Sequence, residues 1–283
     1  MKDNMTKGFG DSKKYKKDSR DLFLEKQIIE KKKIWNQFKP AIITPYYKEN
    51  IKVIKRCYES CKSQTFKASH FLVSDGFPYP EINNWDVNHI ILPEAHNDFG
   101  NTPRGIGALS AINQGFNVIL FLDADNWFEN KHLESVLEMK ISDLSFDIIS
   151  TYRNLVLSSG EIVESDKEDF EKKHIDTNCM IFFESSFFLL PYWTTMTKEL
   201  SVIGDRIMFK RIKDNNLKIG FTEQKTVNYW TTFKVHYLKN GINPPKDSKD
   251  FNTSNLKNFS ESKFYNWNRF YFDLRGYFQN HEN

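Results

Sequence analysis

Short apolar runs alternate along the chain with stretches in which apolar positions recur every three or four residues. Ala41-Ile42-Ile43-Thr44-Pro45-Tyr46-Tyr47 is the first run, and it predicts a strand ended by a proline, which has no N–H to give to a ladder. Ile51, Ile54, Tyr58 and Cys61 then share one face of a helix. His70-Phe71-Leu72-Val73, closed by the turn Ser74-Asp75-Gly76, and Val87 to Leu92 read as a second and a third strand. Thr102-Pro103 opens a helix whose predicted stripe is Ile106, Leu109, Ile112 or Asn113, and Phe116. Val118 to Leu122 is apolar at every position, as in a strand covered on both faces, and a helix carrying Leu133, Val136 and Leu137 follows. Strand, helix, strand, strand, helix, strand, helix is the order of an α/β doubly wound domain.

After Asp147-Ile148-Ile149-Ser150 the pattern changes. Leu155-Val156-Leu157 and Glu161-Ile162-Val163 flank Ser158-Ser159-Gly160 as a hairpin, and Cys179 to Phe183 is a further strand. A helix from Asp205 to about Asn215 carries Ile207, Met208, Arg211 and Ile212, with short strands predicted around Ile219 and Val227. The second half is thus predicted to be α+β and antiparallel. At the N-terminal end, residues 1–20 are polar and Lys-rich, and Leu24, Ile28, Trp35 and Phe38 predict an amphipathic helix over Asp21 to Phe38. Pro244-Pro245 and a Ser/Asn/Lys-rich stretch form a connector. The aromatic run Phe264 to Phe272 predicts a C-terminal helix that packs on the core, with a membrane surface or a partner as the alternative. The expected domains are an arm and helix over 1–38, a main domain over 39–245 and an appendage over 246–283.

Composition refines this picture in two places. The formal net charge of +3 conceals that residues 1–33 hold 11 Lys or Arg against 6 Asp or Glu, a net of +5, which leaves −2 for the rest. The near-neutral body argues against nucleic acid, and the basic arm is a solvated leader or a peripheral membrane contact. The three cysteines exclude a disulfide scaffold: Cys57 and Cys61 lie four apart on a helix, as core residues do, and no second pair completes a zinc site. The first residues lack an apolar signal core and no run approaches the ~18 residues of a membrane span, so a soluble cytoplasmic protein with reduced thiols is expected. Gly105-Ile106-Gly107 lacks the later glycine of a dinucleotide fingerprint, and no Walker loop occurs.

The apolar run 118–122 stops at Asp123-Ala124-Asp125-Asn126. Ligands of open α/β sheets bind at such strand ends, and if the chain stays extended through Ala124 both carboxylates face one side and reach a divalent cation. The competing reading is a turn that caps the helix beginning near Lys131.

Taken in order, these landmarks resemble the glycosyltransferase family 2 type of GT-A enzyme. The residues that carry the resemblance are Ile42-Ile43-Thr44-Pro45-Tyr46, Ser74-Asp75-Gly76, Arg104, Phe121-Leu122-Asp123-Ala124-Asp125, Gly204-Asp205, and Val235-His236-Tyr237 with Gly241 and Pro244-Pro245. It implies a Rossmann-like mixed sheet flanked by helices, with an α+β acceptor-side half and a role in cell-surface polysaccharide assembly. It also implies inverting, non-processive transfer of a hexose from a nucleoside diphosphate sugar, UDP-linked before GDP-linked, to an acceptor hydroxyl. Thr44, Pro45 and Tyr46 would line the nucleotide cleft, Asp75 and Arg104 would hold the base, and Asp123 would face the ribose. Asp125, with Asp123 and His236, would hold Mn²⁺ or Mg²⁺, which neutralises a departing diphosphate. Asp205 would be the general base, although an acid in a first helical turn also has a purely structural use. His96, Asp98, Asp176 and Thr177 are polar candidates for sugar or acceptor contacts, or ordinary turn residues.

Three departures stand out: Phe77-Pro78 follows Asp75-Gly76, Gly-Asp replaces the more usual Glu-Asp, and the Gln-x-x-Arg-Trp motif of processive synthases is missing. A nucleotidyltransferase of related fold would bring a Gly-rich basic loop after the first strand, which Thr44-Pro45-Tyr46-Tyr47 does not supply. A catalytically silent nucleotide- or carbohydrate-binding module would be expected to have lost one of Asp123, Asp125 and Asp205. The expected localisation is cytoplasmic, with the inner face of the membrane as the alternative.

Overall fold

A computed structural model describes residues 29–163 and 175–250. The basic arm, most of the predicted amphipathic helix and the aromatic C-terminal run lie outside the described residues. The chain divides into a unit ending at Gln37, in which residues 29–35 are helical, and a unit beginning at Phe38.

Among the described residues of the second unit, nine strands form one sheet in the order β3-β2-β1-β4-β8-β6-β9-β5, with β7 paired to β6. The first half is parallel. β1 (Pro40–Tyr46) lies between β2 (Ser69–Asp75) and β4 (Val118–Phe121), and β3 (Asn88–Leu92) forms the edge. All seven residues of β1 and all four of β4 are buried, so an uninterrupted apolar run was the right signal for a strand covered on both faces. α1 (Ile51–Lys62) starts where the Asn50 side chain accepts from the N–H of Lys52 at 3.0 Å, and it buries Ile54, Cys57, Tyr58 and Cys61.

α2 (Asn101–Asn113) departs from expectation. Its buried face is Asn101, Pro103, Arg104, Gly105, Gly107, Ala108 and Ala111, not the stripe of Ile106, Leu109 and Phe116. A Cβ on Gly107 would stand 2.5 Å from Ile43 Cγ2 and 2.9 Å from Val73 Cγ2, so the helix backbone itself lies against β1 and β2. Small residues permit this approach, and the larger apolar ones are displaced to its flanks.

The second half is mixed. β8 (Met180–Phe183) runs antiparallel to β4 and to β6 (Ile148–Val156), and β6 forms the predicted hairpin with β7 (Ile162–Val163). The two short strands expected around Ile219 and Val227 are one twelve-residue strand, β9 (Ile219–Trp230), which pairs with β6 in parallel rather than antiparallel. Register shifts around Tyr152 and a left-handed Glu223 (φ 56°) let the long strand bend. An unpredicted two-residue strand, β5 (Trp127–Phe128), pairs with the end of β9. α3 (His132–Ser142) follows it, then α4 (Tyr192–Thr195), α5 (Gly204–Asp214) and α6 (Lys234–Lys239). Phe121, Phe182 and Trp193 meet edge to face at 5.8 Å between centroids and join the sheet core to the α4 side. Among the described residues no helix is long and apolar enough to cross a membrane.

Candidate active site

The C-terminal ends of β1, β2 and β4 open into one cleft of about 1150 Å³. Pro45, Tyr46, Asp75, Asp98, Arg104, Asp123, Asp125, Asp176, Thr177, Asp205 and His236 all line it, so eleven of the thirteen residues singled out from the sequence are brought together. The other two do not line it. Thr44 is fully buried, its hydroxyl 2.9 Å from His70 Nε2 and 3.7 Å from Cys57 Sγ. His96 donates through its backbone N–H and Nδ1, at 3.0 and 2.7 Å, to Asp75 Oδ1, and so orients the carboxylate that faces the cleft. Tyr46 reaches the cleft with about 1% of its surface and otherwise packs on Ile54, Leu72 and Ile82, its hydroxyl 2.6 Å from His89 Nε2.

The acidic turn differs in detail from the extended geometry expected of it. β4 ends at Phe121, and the N–H of Asn126 donates to the carbonyl of Asp123 at 2.9 Å, so the chain turns at Ala124-Asp125. The turn does not cap α3, whose N-terminal residue Lys131 makes no side-chain cap. Its two carboxylates have unlike surroundings. Asp123 is committed: Oδ1 accepts from Arg104 Nη2 at 2.7 Å, Oδ2 from Asn178 Nδ2 at 3.1 Å, and its N–H donates to Asn178 Oδ1 at 2.6 Å. Among the described residues the Asp125 carboxylate makes no such hydrogen bond or ion pair with a side chain: the Arg56 guanidinium reaches the backbone carbonyl of the same residue instead. Burial first, then the charges of Asp123 and Glu49, push its carboxyl up to about 7, while Lys249 pulls the other way. A half-buried carboxylate among like charges is an environment that a divalent cation relieves, so this donor set fits one. His236 lines the same cleft, its Nδ1 2.5 Å from the Thr231 hydroxyl. Asp123, Asp125 and His236 do not converge into a preformed three-ligand cluster. Among the described residues that arrangement occurs at Cys57, Cys61 and His70, in the core beneath α1.

Two helix starts meet across the cleft. Arg104, on α2, is buried under Trp193 at 4.9 Å and donates to Asn101 Oδ1 at 3.0 Å. A Cβ on Gly204, at the start of α5, would stand 3.0 Å from the Asn101 amide and 3.1 Å from Trp193. The glycine at this position is therefore dictated by packing, and it leaves Asp205 half-buried in the cleft wall.

A wall of ties that periodicity does not reveal completes the site. Asn178 Nδ2 also donates to Asp176 Oδ1 at 2.7 Å, and Asp176 pairs with Arg153, whose guanidinium lies 4.4 Å from the Tyr229 ring. Asp98 caps α2, accepting from the N–H and hydroxyl of Thr102 at 2.8 and 2.6 Å through Oδ2, with Oδ1 buried and unpartnered at the cleft.

No family model matches the chain, and no curated protein matches it by sequence. Solved structures do. The crystal structure of S. aureus TarS matches with a TM-score of 0.52 at 15% identity over 71% of this chain, and that of TarS 1-349 in complex with UDP with 0.53 at 16% over 71%. The fold is that of the GT-A glycosyltransferases. The chain spans 38% of the first of these TarS chains and 63% of the second. The GT-A sheet explains why strand ends supply Asp75 and Asp123 while the mixed half supplies the opposite wall.

Proposed function

We infer that the chain transfers a hexose from a nucleoside diphosphate sugar to an acceptor hydroxyl, one sugar per encounter, with inversion and with the help of Mn²⁺ or Mg²⁺. The observation that carries this reading is the division of labour in one cleft: Asp123 locked by Arg104 and Asn178, Asp125 with no ion pair on its carboxylate, and Asp205 on a separate helix start. The volume suits a nucleotide sugar. Asp75, oriented by His96, and the exposed edge of Tyr47 form the base end, with Pro45 beside them. UDP is favoured as the nucleotide because a solved structure of the same fold holds it. A cation on Asp125, with His236 within the same cleft, would offset the charge that gathers on the leaving diphosphate. Arg104 and Lys249 add positive charge on either side of the acidic turn.

Asp205 removes the acceptor proton. Inversion requires the hydroxyl to attack from the side away from the diphosphate, which demands a base on an element separate from the acidic turn, and α5 is such an element. Asp176 and Thr177 stand on the same wall as candidates for the acceptor.

Thermal-shift titration with UDP, GDP and CDP, each with and without Mn²⁺, tests the reading, because a ligand that binds only the folded state raises the melting temperature. The shift with UDP is expected to need Mn²⁺, and its absence with all three nucleotides overturns the proposal. Asp205→Asn is expected to keep that shift while transfer falls by ~10²-fold or more, the usual contribution of a positioned base.

A further inference from the structure

Arg56 belongs to α1 and is not among the residues that line the cleft, yet it reaches the back of the acidic turn. Its Nη2 donates to the carbonyl oxygen of Asp125 at 2.6 Å. The guanidinium lies between two indoles, 4.0 Å from the ring centroid of Trp127 and 4.3 Å from that of Trp230. Trp127 opens β5, directly after the turn, and Trp230 ends β9. Asn126 Oδ1 accepts from the N–H of Trp230 at 2.9 Å, and Trp127 pairs in register with Asn228. One side chain therefore joins α1, the acidic turn and the end of β9.

The chemistry of this arrangement is specific to arginine. A planar guanidinium stacks on aromatic faces and still directs an N–H in its own plane, which a lysine ammonium does not. Such stacks strengthen when they are desolvated. The short charge-assisted bond holds the peptide plane between Asp125 and Asn126 and so limits the directions that the Asp125 side chain can take. The same strand end continues into Thr231, whose hydroxyl meets His236 Nδ1 at 2.5 Å.

The geometry points to Arg56 as the positioning residue of the acidic turn: the Trp127–Arg56–Trp230 sandwich holds the Asp125 backbone so that its carboxylate faces the cleft, and it registers that turn against the strand end that leads to His236. What the carboxylate receives there rests on the function inferred above, whereas the clamp itself does not. Arg56→Met and Arg56→Lys in the full chain separate the two. Hydrogen exchange of the segment 122–128 in metal-free buffer reads the clamp, and Mn²⁺ titration in the presence of UDP, followed by the loss of the free-ion paramagnetic resonance signal, reads its consequence.

In Arg56→Met the segment is expected to exchange at least tenfold faster while the melting temperature stays within a few degrees, and Mn²⁺ affinity is expected to fall 10- to 100-fold, the usual effect of removing a group that orients a ligand. Arg56→Lys is expected to recover part of the protection and less of the affinity. Unchanged exchange of 122–128 in Arg56→Met overturns the clamp, as does a loss of protection spread evenly over the whole domain. If Arg56→Met does not fold, Trp127→Leu, which removes one face of the sandwich, is expected to give an intermediate rise in exchange confined to the same segment, and no rise is equally fatal. Wild-type protein that takes up no Mn²⁺ with UDP defeats the function and leaves the exchange arm to decide the clamp.

Discussion

Asn178 shows how one neutral amide can organise charged residues. It bridges Asp123 and Asp176 with both ends of its side chain, and its own N–H donates to Asp176 Oδ1 at 3.0 Å. Asn178→Ala leaves the buried N–H of Asp123 without a partner, and a lost buried hydrogen bond of this kind costs about 1–3 kcal/mol. Urea unfolding is expected to show that loss at unchanged slope, and the nucleotide-dependent thermal shift is expected to shrink because Asp123 is then held by Arg104 alone. Asn178→Asp places a third carboxylate between two others and is expected to be worse than Ala; a milder effect would mean that the amide does not bridge them. Asp123 and Asp125 stood out beforehand as carboxylates at a strand end, and Arg104 and Asp205 through the family resemblance; the structure brings all four to one cleft. Asn178 and Arg56 did not stand out: their partners lie 55 and 69 residues away, and nothing in the local sequence distinguishes them from surface polar residues. Thr44 was assigned to the cleft by the family resemblance, but its hydroxyl is taken up beneath α1 by His70.

Among the elements, α2 carries the clearest conflict between propensity and packing. In an exposed helix interior, glycine costs about 1 kcal/mol relative to alanine, so Gly107→Ala would ordinarily stabilise. Here the added methyl would stand 2.5 Å from Ile43 and 2.9 Å from Val73, and overpacking of a rigid core costs about 1–3 kcal/mol. Gly107→Ala is therefore expected to lower the urea midpoint, and a raised midpoint would mean that α2 sits farther from the sheet than described. The helix itself was legible from Thr102-Pro103, whereas its buried face was not, because a period-3.6 search rewards large apolar residues and this helix approaches through small ones. β9 escaped for a related reason: Thr222 to Lys225 are polar and break the alternation, so the strand exists through its pairing with β6 rather than through a pattern of its own. Lone apolar strands such as β1 and β4 are recognisable by composition, but strands defined by a distant partner are not.

For the whole domain, three buried groups with large shifts dominate the dependence of stability on acid pH. His70, against Thr44 and Cys61, and His132, stacked on Phe128 with Nδ1 2.8 Å from the Thr226 hydroxyl, are both held by burial at about 3, well below the ordinary histidine value. Between pH 6.5 and 3 the unfolded chain therefore binds a proton at each that the folded chain refuses, and stability falls as the pH falls through this window. Asp125, pushed up to about 7, acts in the opposite sense from pH 7 down to about 4, because there the folded state holds a proton that the unfolded state releases. Two protons against one leave a net of about one, to which His89, also lowered by burial, adds in the same sense, so metal-free protein is expected to lose on the order of 1–2 kcal/mol per pH unit between pH 6 and 4.5. In Asp125→Asn the opposing proton is gone, and the slope is expected to steepen by about 1 kcal/mol per pH unit. Urea midpoints taken at half-unit steps of pH in the presence of a chelator measure both slopes. Equal slopes in the two proteins would mean that Asp125 is ionised normally when no cation is bound, which would remove the electrostatic reason for a cation in the cleft while leaving the histidine contribution intact.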